Sequence, residues 1–331
     1  MPPCHGGDRG FDPRLVRQKL FKLKMKKKAL LTGGAGFIGS NLTKLLLSKN
    51  YEIFIIDNFS SGYIENLLGY EITLVKEDLI NINNLSMLPK FDVIFHLAAS
   101  VGRQKSIDFP IIDSETNLMA TIELLNFIKA NNIPKIIYSS SAAIYGELKF
   151  DLIDESHQLE PDSPYGVSKL AAEKMILAFS EIYKFEAVSL RYFNIYGINQ
   201  RFDLYGNVIP IFVHLINQGK AINIYGDGNQ TRDFANVKDV ALANLLAAET
   251  KGFTGYYNLG SGTSITINYL VGLLEKIYNK PIQRNYLPKR AGDVLHCKAD
   301  ISKIQSKLNF QPDNDFFKGL KEYVNWTKSL L

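Results

Sequence analysis

Cysteine is nearly absent from this chain. Two residues among 331, Cys4 and Cys297, cannot build a disulfide framework, so a reducing, cytoplasmic setting is expected. Long apolar runs are missing as well. None reaches the roughly 18 residues that cross a bilayer, and no membrane partner is expected. Nor does the main body carry a surplus of one charge. Residues 1–28 hold nine Lys/Arg and two Asp/Glu, which leaves the rest with 29 of the 38 basic and 31 of the 33 acidic residues. The formal net charge of +5 therefore comes from the N-terminal segment. A nucleic-acid footprint needs basic residues clustered on a folded surface. The body shows no such cluster, so no nucleic-acid partner is expected. Repeats, low-complexity tracts and a clean linker are also lacking. Residues 1–24 are Pro/Gly-rich, then basic, without the apolar stretch of a secretory signal. With Met25 reading as a natural start, they are expected to be a tail, disordered or non-native.

What remains is an ordinary globular composition, 46% hydrophobic and 21% charged, long enough for one large core and a smaller lobe. Short β-rich runs at 29–32, 51–57, 72–75, 92–97, 135–140 and 186–191 alternate with helical patterns at 37–49, 117–130 and 164–183. That βαβ rhythm predicts an α/β fold with a doubly wound parallel sheet of the Rossmann type. Residues 25–195 are expected to form the dinucleotide-binding domain. Residues 196–331 are expected to form mainly a smaller α/β substrate-binding lobe, with helices near 208–218, 237–249, 267–278 and 316–328 and a strand at 222–225.

Two constellations carry chemistry. Thr32-Gly-Gly-Ala-Gly-Phe-Ile-Gly39 lies between the first strand and the first helix. Gly33 suits the tight turn, Gly36 the approach of a pyrophosphate, and Gly39 close packing of helix on sheet. The helix start supplies N–H donors to phosphates. Asp57 ends the next strand about 20 residues on, placed to accept from ribose hydroxyls and to repel a 2′-phosphate, so NAD is the expected cofactor. Asp78 and Leu79 follow the third strand and are placed to cap the adenine edge.

The second constellation is Tyr165-Gly-Val-Ser-Lys169. It sets a phenol and an ammonium four apart on one helix face, after Ser163 as N-cap and Pro164 at the first helical position. A nearby ammonium is expected to lower the phenol's pKa and make a proton-transfer pair. Ser139-Ser140-Ser141 ends the fifth strand, where open parallel sheets bind ligands beyond their carboxyl ends. Together these residues read as a Ser–Tyr–Lys set.

At this point the sequence resembles the extended short-chain dehydrogenase/reductase family, and within it the NAD-dependent nucleotide-sugar 4-epimerases of the UDP-glucose/UDP-N-acetylglucosamine type. The motifs are TGGAGFIGS, HLAAS at 96–100, SSSAAIYG, YGVSK, RYFNIYG at 191–197, GDGNQTRDF at 226–234 and RAGDV at 290–294. The resemblance implies Ser141 as catalytic serine, Tyr165 as base and Lys169 as its partner, with Ser141 and Tyr165 also touching the sugar. It carries the cofactor role to Phe37, Ile38, Asn58, Leu97, Ala98, Ala99, Asn117, Ser139, Tyr165, Lys169 and Tyr192, the last beside the nicotinamide. Asn194, Asn207 and Val208 would contact the sugar diphosphate, and Tyr225 the uracil. Arg232 and Arg290 would hold the diphosphate and Asp293 the uridine ribose. No metal is implied.

Three departures narrow the activity. Val101 stands where enteric galactose epimerases carry a Lys. Ala142 and Ala143 stand where sugar dehydratases of the family place an acid pair, so no general acid is available there to eliminate water. Decarboxylating relatives use a Glu at a similar place, also absent. Cys297 aligns with a gate position where relatives restricted to plain hexoses carry Tyr, so room for an N-acetyl group is expected. The implied activity is 4-epimerisation of a UDP-hexose, UDP-GlcNAc/UDP-GalNAc first and UDP-Glc/UDP-Gal second. A UDP-uronic acid 4-epimerase, another nucleotide-sugar oxidoreductase of the family and a non-catalytic nucleotide-sugar binder stay open. The family's mode of assembly implies a homodimer through a four-helix bundle, formed by 117–130 and 164–183. The second of these carries Leu170, Met175, Ile176, Leu177, Phe179, Ile182 and Tyr183, more apolar surface than one core face needs.

Overall fold

The computed structural model describes residues 26–85, 88–203, 206–289 and 295–330. Its centre is a seven-stranded sheet: β1 Lys28–Thr32, β2 Glu52–Asp57, β3 Thr73–Lys76, β4 Val93–His96, β5 Lys135–Ser141, β6 Glu186–Tyr192 and β7 Gly255–Leu259. The spatial order is β7-β6-β5-β4-β1-β2-β3, and every neighbouring pair is parallel. The strands read as near-continuous apolar runs because both faces are covered. On one face, helices Phe37–Ser48 and Val237–Glu249 pack over Leu31, Ile53, Phe95, Val188 and Leu259. On the other, Ala120–Asn131 and Pro164–Tyr183 cover Leu30, Ile94, Ile136 and Tyr138.

Strand order reverses between β1 and β4. In a doubly wound sheet that reversal opens a crevice beyond the carboxyl ends of the strands, and ligands bind there. A separate core forms the second lobe. Helices Val208–Asn217, Ile267–Tyr278 and Phe316–Lys328 enclose Phe212, Leu270 and Leu320 beside the parallel pair Ile222–Tyr225 and Arg284–Leu287.

Two features depart from the sequence reading. The chain does not leave the main sheet for good at residue 195. Val237–Glu249 packs beside Phe37–Ser48, and Gly255–Leu259 becomes the seventh strand. Second, the helical run expected to open at 117 begins at Pro110. It passes through a π-helical segment, Glu115–Met119, between Pro110–Ser114 and Ala120–Asn131. That segment turns Asn117 inward. The expected apolar surplus also divides: Met175, Leu177 and Phe179 pack on their own core, whereas Ile182, Ile107, Phe109, Ile111, Ile112 and Met119 are exposed. Among the described residues, no helix is long and apolar enough to cross a membrane.

Candidate active site

The glycine turn is shaped by close approaches. Gly33 has φ +70°, and a Cβ there would lie 2.7 Å from Ala98 N in the loop after β4. A Cβ on Gly39 would lie 2.3 Å from Gly33 O. Side chains are therefore excluded where the turn meets helix Phe37–Ser48. The N-cap of that helix is Gly36, with no side-chain cap, so its first N–H groups are left for an anion. Phe37 and Ile38 occupy the first helical turn. Asp57 is 6% exposed and clamps the turn from β2: Ala35 N donates to Oδ2 at 2.9 Å and Phe59 N to Oδ1 at 2.8 Å. Burial raises its pKa against those two hydrogen bonds. Each oxygen retains a lone pair for a further donor.

At the rim, Asn58 Nδ2 donates to Asp78 Oδ2 at 2.8 Å. Asp78 also caps the short 3₁₀ helix Leu79–Asn84 by accepting from Ile80 N, while Leu79 itself is core.

One chain of hydrogen bonds ties β1, β4 and helix Ala120–Asn131 together. Leu97 N and Ala98 N both donate to Thr32 Oγ1 at 3.2 Å. Thr32 Oγ1 lies 2.8 Å from His96 Nδ1, His96 Nε2 lies 2.9 Å from Thr121 Oγ1, and Thr121 donates to Asn117 O at 2.6 Å. Because the Thr121 proton is committed to that carbonyl, His96 Nε2 must carry a hydrogen, and Nδ1 accepts from Thr32. Burial drives His96 down to about 3, so it is a neutral structural group. The loop Leu97-Ala98-Ala99 is thereby fixed against Gly33.

Asn117 lies inside the protein. It is 2% exposed, accepts from Ser100 N at 2.9 Å and donates toward Ser100 O, Asp113 Oδ1 and Ser168 Oγ at 3.0–3.1 Å. Its amide is spent on the protein and braces the loop after β4 against the Tyr165 helix. Ser139 and Tyr192 form another brace. Ser139 Oγ donates to Tyr192 Oη at 3.1 Å, and Asn244 Nδ2 donates to the same oxygen at 2.7 Å, which ties that hydroxyl into the core.

Ser141 ends β5 beside the start of the helix that carries Tyr165 and, one turn on, Lys169. Helix Pro164–Tyr183 starts with Ser163 accepting from Gly166 N and Pro164 at its first position. A Cβ on Gly166 would lie 2.5 Å from Ala143 O, so glycine there lets the helix start press on the turn Ala142–Tyr145. Ser141 Oγ accepts from Ala143 N at 3.1 Å, and its hydroxyl stands near enough to the Tyr165 phenol to lower its pKa. Lys169 Nζ stands 4.5 Å from the centroid of the Tyr138 ring. Ala142 and Ala143 place no acid behind Ser141.

The expected electrostatics are not what the site displays. Burial pushes Tyr165 up to about 12, more than the Ser141 hydrogen bond lowers it, with Asp113 adding to the rise. Burial pulls Lys169 down to about 7 against the pull of Asp113 and Glu173. The ammonium is thus compensated by two carboxylates rather than by the phenol.

Those carboxylates escaped the sequence reading, as did Arg191. Glu173 and Arg191 are both fully buried and joined at 2.6 Å. Ser140 donates to Glu173 at 2.7 Å, Arg191 Nη1 to Tyr145 Oη at 2.9 Å, and Tyr145 to Asn258 Oδ1 at 2.6 Å. This network joins the strand holding Ser141 to the helix holding Tyr165. A signal for it existed: Glu173 is four residues beyond Lys169, on the same helix face.

On the second lobe, Asn194 donates to Asp233 O at 3.3 Å, and Asn207 caps helix Val208–Asn217 from a position that leaves its side chain out of the cap. Tyr225 ends its strand. Arg232 donates to Thr231 O at 2.9 Å and lies close enough to Cys297 to influence it. Asp233, missed in the sequence, is fully buried and accepts from Ser261 N, Ser261 Oγ, Gly262 N and Ala299 N at 2.7–3.1 Å. It anchors the segment after Cys297, whose thiol burial raises to about 12. Arg290 and Asp293 lie outside the described residues. Among the described residues no cluster suited to a metal ion occurs.

Residues 30–323, which hold the glycine turn and Ser141, Tyr165 and Lys169, match one family model, that of GDP-mannose 4,6-dehydratase. The chain belongs to this family. Solved structures similar to this family member bear epimerase names. A UDP-N-acetylglucosamine 4-epimerase from Methanobrevibacter ruminantium M1, in complex with UDP-N-acetylmuramic acid, is 40% identical with a TM-score of 0.88, covering 92% of this chain and 99% of that one. The UDP-glucose 4-epimerase of Thermotoga maritima, with UDP-glucose, is 34% identical with a TM-score of 0.87 and the same coverage. A UDP-glucuronic acid 4-epimerase from Bacillus cereus, with UDP-glucuronic acid and NAD, is 32% identical with a TM-score of 0.85, covering 92% of this chain and 100% of that one.

Proposed function

We propose that this protein is an NAD-dependent UDP-sugar 4-epimerase whose preferred substrates are UDP-GlcNAc and UDP-GalNAc. The observation that carries the reading is the approach of Ser141 to Tyr165, one helical turn before Lys169, together with a glycine turn packed so closely that no Cβ is admitted at Gly33 or Gly39. The glycine turn, the uncapped helix start at Gly36 and the Asp57 carboxylate fit NAD, with Asp57 accepting from the adenosine ribose. When bound, NAD supplies the acceptor and then the donor of the hydride at sugar C4.

The chain's own residues do the rest. Tyr165 Oη takes the proton of the sugar 4-hydroxyl and later returns it, while Ser141 Oγ holds the same oxygen in line. Lys169 stabilises the phenolate. Arg232 and Arg290 hold the diphosphate while the 4-keto sugar turns over and presents its other face. The absence of an acid at Ala142 and Ala143 sets this chemistry apart from water elimination.

Cys297 supports the N-acetyl preference, since a small side chain at the gate leaves room beside the sugar. A second reading, 4-epimerisation of a UDP-uronic acid, is favoured by the likeness to the Bacillus cereus enzyme. Incubation with UDP-GlcNAc, UDP-Glc and UDP-glucuronic acid, with product sugars identified, separates them. The N-acetyl reading expects UDP-GlcNAc to turn over fastest, and a faster uronate defeats it. We also propose a homodimer that buries Ile107, Phe109, Ile111, Ile112 and Ile182 in a four-helix bundle. These side chains are 46–72% exposed in the single chain. Light scattering at micromolar concentration should give twice the chain mass, and a monomer would contradict it.

A further inference from the structure

Asp113 is 1% exposed, on helix Pro110–Ser114 packed beside the Tyr165 helix. Ser168 Oγ donates to its Oδ2 at 2.6 Å, and Asn117 Nδ2 donates to its Oδ1 at 3.0 Å. Ser168 lies between Tyr165 and Lys169 on the same helix, and a hydroxyl contact that short is typical of an ionised acceptor. The acid therefore grips the turn that carries both reacting side chains. It also faces their charges. Asp113 raises Lys169 and raises Tyr165, while burial raises Asp113 itself against the hydrogen bonds of Ser168 and Asn117 and the charges of Lys169 and Lys105. The other groups around Lys169 are Glu173 on its own helix, Tyr138 on β5 and His96 on β4. Glu173 is tied to Arg191, and both nitrogens of His96 are engaged with threonines. Asp113 is the acid here with no direct cation of its own in that environment.

We propose that Asp113 is a positioning residue for proton transfer: its buried carboxylate fixes the Ser168 turn and, through its charge, sets the pH range in which Tyr165 and Lys169 work together. The inference rests on the epimerase reading and predicts a signature that packing alone does not produce. Removing the negative charge makes both the phenol and the ammonium easier to deprotonate. The limb that needs the phenolate and the limb that needs the ammonium then move the same way.

The test is the Asp113→Asn enzyme, loaded with NAD, assayed for kcat against pH. Both limbs are expected to shift to lower pH by on the order of one unit. Asp113→Glu, which keeps the charge, should restore the limbs toward their original places. A bell that keeps its position and only loses height shows a purely structural role and overturns the proposal. So do limbs that move apart. If Asp113→Asn does not fold, Lys105→Met takes its place. Removing that cation strengthens the field of Asp113, so both limbs should rise, and unmoved limbs overturn the proposal. An ultraviolet titration of tyrosinate, taken as wild type minus Tyr165→Phe, follows the phenol without turnover. Its Tyr165 midpoint should fall in Asp113→Asn. If the wild type shows no epimerase activity, the functional reading fails and this titration still decides the role of Asp113.

Discussion

Helix Pro164–Tyr183 buries two charges one turn apart, and they are treated in opposite ways. Glu173 is held by Arg191 at 2.6 Å and by Ser140, with Tyr145 and Asn258 closing the network around Arg191. Lys169, four residues earlier, has an aromatic ring beneath it and carboxylates only at a distance. On the paired side, the hydrogen bond and charge of Glu173 raise Arg191 against the burial that lowers it. The ammonium without a direct partner falls to about 7. Pairing makes a buried charge structural, and withholding the pair leaves it free to take part in chemistry.

The largest break in that comparison should come at Tyr165. Tyr165→Phe removes the atom that moves the proton, and turnover should fall by about 10³-fold or more while NAD is retained on the purified protein. An undiminished rate would end the functional reading. Next comes the structural side. Glu173→Gln leaves Arg191 buried without a counter-charge and should cost about 3–5 kcal/mol in a denaturant titration. Lys169→Met should lose turnover yet keep or gain stability. The sign follows from protons: between about pH 7 and 10.5 the unfolded chain holds a proton at Lys169 that the folded one has released, so the Lys169 contribution to stability rises with pH there. Equal stability losses in the two variants would dissolve the contrast. The smallest effect is the shift of the pH bell in Asp113→Asn, which measures how far a distant charge substitutes for a pair.

Much of the site was legible because its signals are local. The turn from Thr32 to Gly39, the Ser163-Pro164 start and the Tyr165/Lys169 spacing each lie within one turn or loop. The helices Val237–Glu249, Ile267–Tyr278 and Phe316–Lys328 fell where their periodicity placed them. Long-range pairing was not legible. Glu173 and Arg191 are 18 residues apart, and charged residues are ordinarily read as surface. Gly255–Leu259 opens on a glycine at φ +104° after an irregular stretch, and its place at the sheet edge depends on pairing with β6, far back in the chain. Nothing in the sequence announces the π segment that holds Asn117. The expectation that Lys169 lowers the Tyr165 phenol rested on charge spacing alone and left out the burial that moves both groups the other way.

The π segment Glu115–Met119 also sets a constraint on length. A single-turn π bulge amounts to one residue more than an α-helix would use, and each α-helical residue turns the chain by about 100°. Losing one residue from that segment would rotate everything before it by that angle relative to Ala120–Asn131. Asp113 would swing off Ser168, and Ile111 and Ile112 would sweep away from their present outward face. The inner acid and the outer apolar face are thus keyed by one extra residue, so the chain cannot drop it without misaligning both at once.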